Sequence, residues 1–466
     1  MLSIPDAPDY KFKETFLMNE HNSDFREKKA ALSERKLESQ FNLLYTAGKG
    51  VLNGVFGKKM PPDLLLAEFF RNNRQCGSRD RALISSSIYA LLRYWGFLRH
   101  MLPQEWRKSV EHGEVLFSKR ELGLLFYIAC YCDRPDAPEL NSFSTLYQLP
   151  PLPRKGGDSP HARAQKAADL LKMPCQITAD QLLPEWIAER LPDPAGVAEA
   201  LAKRPPLWIR IHKEQELCLK EFEERSLRCE LSDKLPGAAA LYAPRLNLFS
   251  LESYTKGRFE VQDLASQCIG AVCNARSGER IFDACAGAGG KTLQLGAMMR
   301  NKGTIIAGDV RANKLEELRR RAVRAGLFNI RTRPHDGKLW RDFTLCDKVL
   351  LDVPCTGSGV WRSNPGMQWS FTLEKLNEHV KLQKEILENF CSAVKPGGTL
   401  IYSTCSLFPE ENELQVKSFL ERHEEFVLKE GRHPLSAVFT DGCYKFNAHE
   451  GDCDYMFAAV MEKSAR

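Results

Sequence analysis

The sequence predicts an α/β protein. A Rossmann-like, doubly wound and mostly parallel sheet fills its C-terminal half, preceded by an all-helical region and a small α+β segment. Three observations predict this. From about residue 259, apolar runs of strand length alternate with helix-like segments. Each run ends at a small or polar residue. Before Leu149, apolar residues instead recur at three- and four-residue steps, the period of a helix.

Residues 1–27 are polar and read as poorly ordered. In RDRALISSSIYALLRYWGFLRHML (79–102), Leu83, Ile84, Ile88, Leu91, Leu92 and Trp95 line up at helical spacing, with Ser78 placed to cap the N-terminus. GEVLFSKRELGLLFYIACYC (113–132) reads as a second helix, and PPLPRKGGDSPH (150–161) as a loop or linker. QLLPEWIAERL and PAGVAEALAK are helical, PPLWIRIHK is a strand, and EQELCLKEFEERSL is an amphipathic helix. ERIFDACA, GTIIAGDV, CDKVLLDV and GGTLIYST then supply four strands, and KTLQLGAMMR and NKLEELRRRAVRAG helices between them, as in βαβ units.

The chain has 466 residues, enough for several cores, with 43% hydrophobic and 27% charged residues. A net charge of +6 is compatible with a polyanionic partner without requiring one. No run approaches the about 18 apolar residues of a membrane span, and the start MLSIPDAPDYKFKE does not read as a signal peptide. The 15 cysteines include no CxxC pair, the nearest being Cys130 and Cys132. Neither a metal site nor a disulfide framework is therefore expected, and the reading is a reducing, cytoplasmic compartment.

Ligands of a doubly wound sheet sit beyond the carboxyl ends of its strands. FDACAGAGGKT (282–292) places Asp283 on a strand and turns through Gly287, Gly289 and Gly290 into a helix, so that the backbone can approach a ligand. Its end resembles a phosphate-binding loop, but the glycine that GxxxxGK[ST] needs is Cys285 here. The second run ends at Asp309, where a ribose hydroxyl pair is usually held. Asp336 in RPHDGKLW ends a third segment and is placed to accept from an adenine amino group. A glycine loop with two acids at successive strand ends fits an adenosine-containing ligand without a phosphate clamp. S-adenosylmethionine (SAM) meets that description better than ATP or NAD. The plain alternative is a tight strand-to-helix turn with solvated acids.

LLDVPCTGSG (350–359) and IYSTCS (401–406) each put a cysteine just past an apolar run, Cys355 and Cys405. An amine needs no thiol to be methylated. C5 of cytosine does: a thiolate adding to C6 breaks the aromaticity and makes C5 an enamine carbon able to attack a methyl donor. One cysteine then has a clear task, and the second falls to a base or release-assisting role. Their plain alternative is two buried small hydrophobes.

LLDVPCTGSG together with YSTCSLFPEENE resembles the RNA (cytosine-5) methyltransferase family. RFEVQDLASQ (258–267) is similar to the family's entry into the catalytic domain, RSNPGMQWSFT (362–372) to its loop after the first cysteine, and PPLWIRIHK to its RNA-contacting subdomain. SRDRALISSSIYALLRYW resembles the NusB-like helical domain of the RsmB/Sun branch, whose substrate is small-subunit ribosomal RNA.

The resemblance implies a NusB-like RNA-binding domain over 28–150, a small α+β RNA-binding subdomain over 178–258 and a SAM-dependent methyltransferase domain over 259–466. By position, Cys405 is the implied nucleophile and Cys355 assists breakdown of the adduct. The Thr404-Cys405 pair favours RNA, since DNA enzymes use the Pro-Cys cysteine. Asp352 is placed at the cytosine N3/N4 edge and beside the cofactor. Cys285, Ala286, Gly287, Ala288, Gly289, Gly290 and Lys291 form the implied SAM loop, with Asp309 at the ribose, Asp336 at the adenine and Lys291 near the reaction. The implied partner is RNA, ribosomal before transfer RNA, with no metal and no membrane, and with the chain as a monomer.

Two positions depart from the family pattern. Gly287-Ala288 stands where Ala-Pro is usual, and Tyr455-Met456 replaces Gly-Phe in the C-terminal strand. Arg320, Arg321 and Arg324 share one helix face, read as solvated, while Arg93, Arg154, Lys155, Arg210 and Arg362 are RNA-contact candidates. RNA would present an unpaired or flipped-out cytosine. Two other readings stay open: a methyltransferase for a nucleobase amine or ribose oxygen, and a non-catalytic RNA-binding assembly factor.

Overall fold

The computed structural model describes residues 34–153, 158–173, 175–242, 246–436 and 438–465. Arg154 and Lys155 lie outside them. The chain divides into two compact units, one of residues 1–204 with Trp361–Phe371, the other of Pro205–Val360 with Thr372–Arg466.

The first unit is helical in its described residues. Two of its helices, Ser78–His100 and Lys119–Asp133, pack against each other. The first starts one residue earlier than its cap assignment predicts. Ser78 is already helical, and the cap forms at Gly77, whose N–H donates to Asp80 at 3.0 Å. The second starts later than the apolar pattern suggests, because Ser118 and Glu121 close a reciprocal capping box there. The short helices Glu185–Ala188 and Pro194–Leu201 belong to this unit. So does the segment around Met367–Ser370, whose Trp369 Nε1 donates to the Leu92 carbonyl at 2.9 Å.

Two of the expected RNA contacts are structural here. Arg93 is 5% exposed, donates to the Leu201 carbonyl at 2.9 Å and faces Asp133 at 3.7 Å. Arg362 is fully buried, with its Nε directed at the Lys203 carbonyl, 3.3 Å away. A buried guanidinium bonded to backbone carbonyls is committed to the fold, not to a phosphate.

The second unit holds two main sheets. β1 (Leu207–Ile211), β2 (Arg228–Leu231), β3 (Ala238–Tyr242) and β4 (Phe259–Val261) form an antiparallel sheet in the order β2-β3-β1-β4. Its core is Ile209, Phe222, Leu241, Leu251 and Phe259. Arg210 and Glu260 lie directly opposite on β1 and β4. Glu260 is 1% exposed and accepts from Arg321 at 2.9 Å and Arg324 at 2.7 Å. Arg321 and Arg324 are thus held by a buried carboxylate, which corrects their reading as a solvated face. Arg210 is 6% exposed and donates to Gln262 at 2.8 Å, so it is no RNA contact either. Burial pulls its guanidinium down to about 10, with Glu260 opposing.

The larger sheet comprises β5 (Arg280–Asp283), β6 (Thr304–Asp309), β7 (Ile330–Pro334), β8 (Cys346–Asp352) and β9 (Val394–Thr404), followed by β10 (Phe426–Leu428). After a two-stranded ribbon of β11 (Gly431–Arg432) and β12 (Phe439–Thr440), β13 (Cys443–Phe446) and β14 (Met456–Lys463) complete it. The order is β10-β14-β9-β8-β5-β6-β7, with β13 also paired to β14. The five strands from β7 to β9 run parallel, and β14 returns antiparallel to β9. This is the predicted Rossmann-like arrangement. Its central parallel strands β5, β8 and β9 are apolar on both faces, with Phe282, Val349 and Tyr402 in one core and Ile281, Leu350 and Ile401 in the other.

Candidate active site at the carboxyl edge of the parallel sheet

The parallel strands end at the residues singled out by sequence. Asp283 closes β5, Asp309 closes β6 and Asp352 closes β8. Asp336 follows β7 and is exposed, and Cys405 is the first residue past β9.

The loop after β5 turns on glycines with separate reasons. Gly287 and Gly289 have φ of +52° and +91°, which side chains rarely adopt. A Cβ on Gly289 would lie 2.6 Å from Leu318, so this glycine also lets the helix Ala312–Ala325 close in. A Cβ on Gly290 would meet nothing within 4 Å, and one on Gly287 only Arg311 at 3.9 Å, so open space lies over the loop. Ala288, where the family pattern has proline, has its carbonyl held by Arg321 Nη1 at 2.8 Å. Arg321 thereby supplies a constraint on the turn at the position that lacks the ring.

The Asp309 carboxylate accepts from the Gly287 N–H at 2.8 Å and from Arg311 Nε at 3.1 Å. It ties the end of β6 to the glycine loop. The Cys285 side chain packs against the core behind the sheet. Burial, then Asp309 and Asp283, push its thiol well above the ordinary range, which leaves it inert as a nucleophile. Asp283 is 1% exposed and accepts from the Thr292 hydroxyl at 2.6 Å. Burial pushes its carboxyl up to about 7, and nearby Asp352 adds to the rise.

Lys291, in the first turn of the helix Gly290–Met298, is not a surface lysine. Its Nζ lies 2.7 Å from Asp352 Oδ2, and its side chain is only 10% exposed. Burial alone would lower its pKa, but Asp352 outweighs it and holds the ammonium above its ordinary value. The Cys405 sulfur adds to that hold. Asp352 Oδ1 accepts from the Ser403 hydroxyl at 3.0 Å, so both oxygens are oriented.

The two cysteines meet. Cys355 Sγ and Cys405 Sγ are 3.3 Å apart, both half-buried and both free thiols. The hydrogen bond with Cys405, then burial, then the charges of Cys405 and Glu411 push the Cys355 thiol well above its ordinary range. Either sulfur can donate to the other across this distance. The Gly359 N–H donates to the Cys405 carbonyl at 2.9 Å, and the Tyr455 N–H to the Gly359 carbonyl at 3.1 Å. Tyr455 makes that contact with its backbone, and Met456 packs in the core, so the departure at this pair leaves the cysteine loops tied together.

Known proteins resemble this chain in sequence and in fold. A sequence profile described as 16S rRNA methyltransferase RsmB/F matches residues 271–462. A ribosomal RNA small subunit methyltransferase B from Cronobacter sakazakii is 34% identical over 60% of this chain and 67% of its own length. The chain belongs to the RsmB/F methyltransferase family. A second relative of the same name, from Pectobacterium atrosepticum, is 28% identical over 84% of this chain and 93% of its own length, so the similarity reaches well outside the catalytic domain. The solved structure of a methyltransferase homologue from Pyrococcus horikoshii superposes with a TM-score of 0.53 at 26% identity, covering 60% of this chain and 95% of that one. The chain is accordingly an RNA methyltransferase of this family. Among the described residues no helix is long and apolar enough to cross a membrane, and no group of His, Cys, Asp and Glu is arranged to hold a metal.

Sequence reasoning missed Glu411. Its carboxylate receives bonds from the residues immediately after both cysteines. The only signal for it is its place in YSTCSLFPEENE.

Proposed function

We propose that the chain methylates C5 of a cytosine in small-subunit ribosomal RNA, using SAM, through a covalent bond from Cys405 to C6 of the base. The observation that carries this reading is the pair of thiols 3.3 Å apart beside the Lys291–Asp352 ion pair. A ribose hydroxyl or a base amine would need neither thiol. The names of the curated relatives support small-subunit rRNA as the substrate.

Cys405 is the nucleophile. The charge of the Lys291 ammonium reaches it, and the Cys355 sulfur lies 3.3 Å away. As its thiolate adds to C6, the Asp352 carboxylate, held by Lys291 and Ser403, accepts from the cytosine amino group and orients the ring, and the Lys291 ammonium offsets the negative charge that develops on it. The space over Gly287 and Gly290, bordered by the Asp309 carboxylate, fits an adenosine-bearing group. Residues 285–291 with Asp309, Asp336 and Asp352 would hold SAM, which supplies an electrophilic methyl group. After methylation a base takes the C5 proton, the C5–H electrons restore the ring's double bond, and the C6–S bond breaks toward Cys405. The S–H of Cys355 donates to the departing sulfur. In this reading residues 28–150 form a NusB-like module that orients RNA, the 178–258 segment assists it, and the chain works as a cytoplasmic monomer.

Incubation with SAM and unmodified small-subunit rRNA, followed by digestion to nucleosides, is expected to yield 5-methylcytidine. N4-methylcytidine or 2′-O-methylcytidine in its place would defeat the reading.

A further inference from the structure

Glu411 ends the short turn Pro409–Glu411 and is fully buried. Its Oε1 accepts from the Thr356 N–H at 2.9 Å and from Gln383 Nε2 at 2.8 Å. Its Oε2 accepts from the Thr356 hydroxyl at 2.6 Å and from the Ser406 hydroxyl. Thr356 follows Cys355, and Ser406 follows Cys405. Gln383, on the helix Leu373–Phe390, also donates to the Pro354 carbonyl at 3.0 Å, just before Cys355. Four donors therefore converge on one carboxylate from a helix and from the two loops that carry the thiols.

A buried carboxylate is costly unless its oxygens are satisfied. Once satisfied by donors from separate segments, it fixes those segments relative to each other. We infer that Glu411 is a positioning residue that joins the loop after Cys355 to the loop after Cys405 and sets the separation of the two sulfurs. This rests on the roles proposed above for those thiols. The other titratable groups facing it are His379 and Tyr402. Burial pulls the His379 imidazole down against the pull of Glu411, and burial then Glu411 push the Tyr402 phenol up, so both are neutral neighbours near pH 7.

Positioning and charge predict different variants. In Glu411→Gln the amide oxygen can keep the two N–H donors, while the hydroxyls of Thr356 and Ser406 turn to accept from the amide nitrogen. The bracket survives without its charge. In Glu411→Ala it is lost. Single-turnover methylation is expected to fall about 100-fold in Glu411→Ala, as for a displacement of about 1 Å, and to stay within about tenfold of wild type in Glu411→Gln. SAM affinity should change less than about threefold in either variant, because the glycine loop does not touch the bracket.

A second readout does not depend on the methylation reading. Oxidised glutathione, reduced to two thiols in the exchange, converts Cys355 and Cys405 to a disulfide, and peptide mass spectrometry follows its formation. Wild type and Glu411→Gln are expected to form this link at similar rates, and Glu411→Ala at least about tenfold more slowly. Should Glu411→Ala fail to fold, Thr356→Val with Ser406→Ala removes both hydroxyl bonds and should slow the link in the same way. Equal link formation in wild type and the folded bracket-deficient variant overturns the inference. So does a Glu411→Gln protein as slow as Glu411→Ala in both assays, since the charge would then be what matters. Unequal link formation with no 5-methylcytidine from wild type would sink the methylation reading and leave the bracket standing.

Discussion

Cys405→Ala is expected to abolish methyl transfer, with a loss of at least roughly 10⁴-fold, the scale on which a covalent nucleophile is missed. The cause is chemical. Without addition at C6, C5 of cytosine has no electron density to offer a methyl donor. Cys355 cannot substitute, although it lies 3.3 Å away, because its hydrogen bond and its burial hold its proton. The fold should be untouched, since Cys405 is half-buried and loses only a thiol. Single-turnover kinetics, with SAM binding measured on the same preparation, checks this. Activity within about tenfold of wild type would return the nucleophile to another group.

Cys355→Ala is expected to behave differently, by trapping the enzyme on its RNA. Attack by Cys405 needs only its own sulfur and the oriented Lys291–Asp352 pair. Release needs the C6–S bond to break, and the departing sulfur loses the S–H that met it. A protein–RNA species that survives denaturation should accumulate to a large fraction of the enzyme, while turnover stops. Adding Cys405→Ala to the same chain should remove it. Gel mobility with labelled RNA reads both results. An adduct that persists in the double variant would place the bond elsewhere, and none in Cys355→Ala would take from Cys355 its part in release.

How far the sequence foretold this depends on what kind of contact fixes each feature. The parallel sheet and its ends were legible because they are local: an apolar run of strand length followed by a polar residue. Asp283, Asp309, Asp352 and Cys405 stand at or just past the strand ends for that reason. The pairing of Cys355 with Cys405 was legible only through the chemistry that would want it, since 50 residues separate them. Charge was the weakest guide. Arg93, Arg210 and Arg362 are indistinguishable in sequence from phosphate-binding arginines, and each is spent on a partner from another segment. Arg321 and Arg324 show the helical spacing of a solvated face, yet Glu260, over 60 positions away, draws both inward. Glu411 was invisible for the same reason, its donors lying 55 and 28 positions away as well as close by. Helix starts were missed by one residue at Ser78 and by several at Lys119, where caps decide and apolar periodicity does not.

In the reaction proposed above, the methylated atom is C5 of cytosine and Cys405 activates it. Small-subunit rRNA carrying tritium at cytosine C5 tests it most directly. With SAM and wild-type protein, tritium should appear in water in step with methyl incorporation, and with Cys405→Ala neither should occur. Methyl groups incorporated while the tritium stays in the RNA would contradict the account, because the reaction would then occur at another atom.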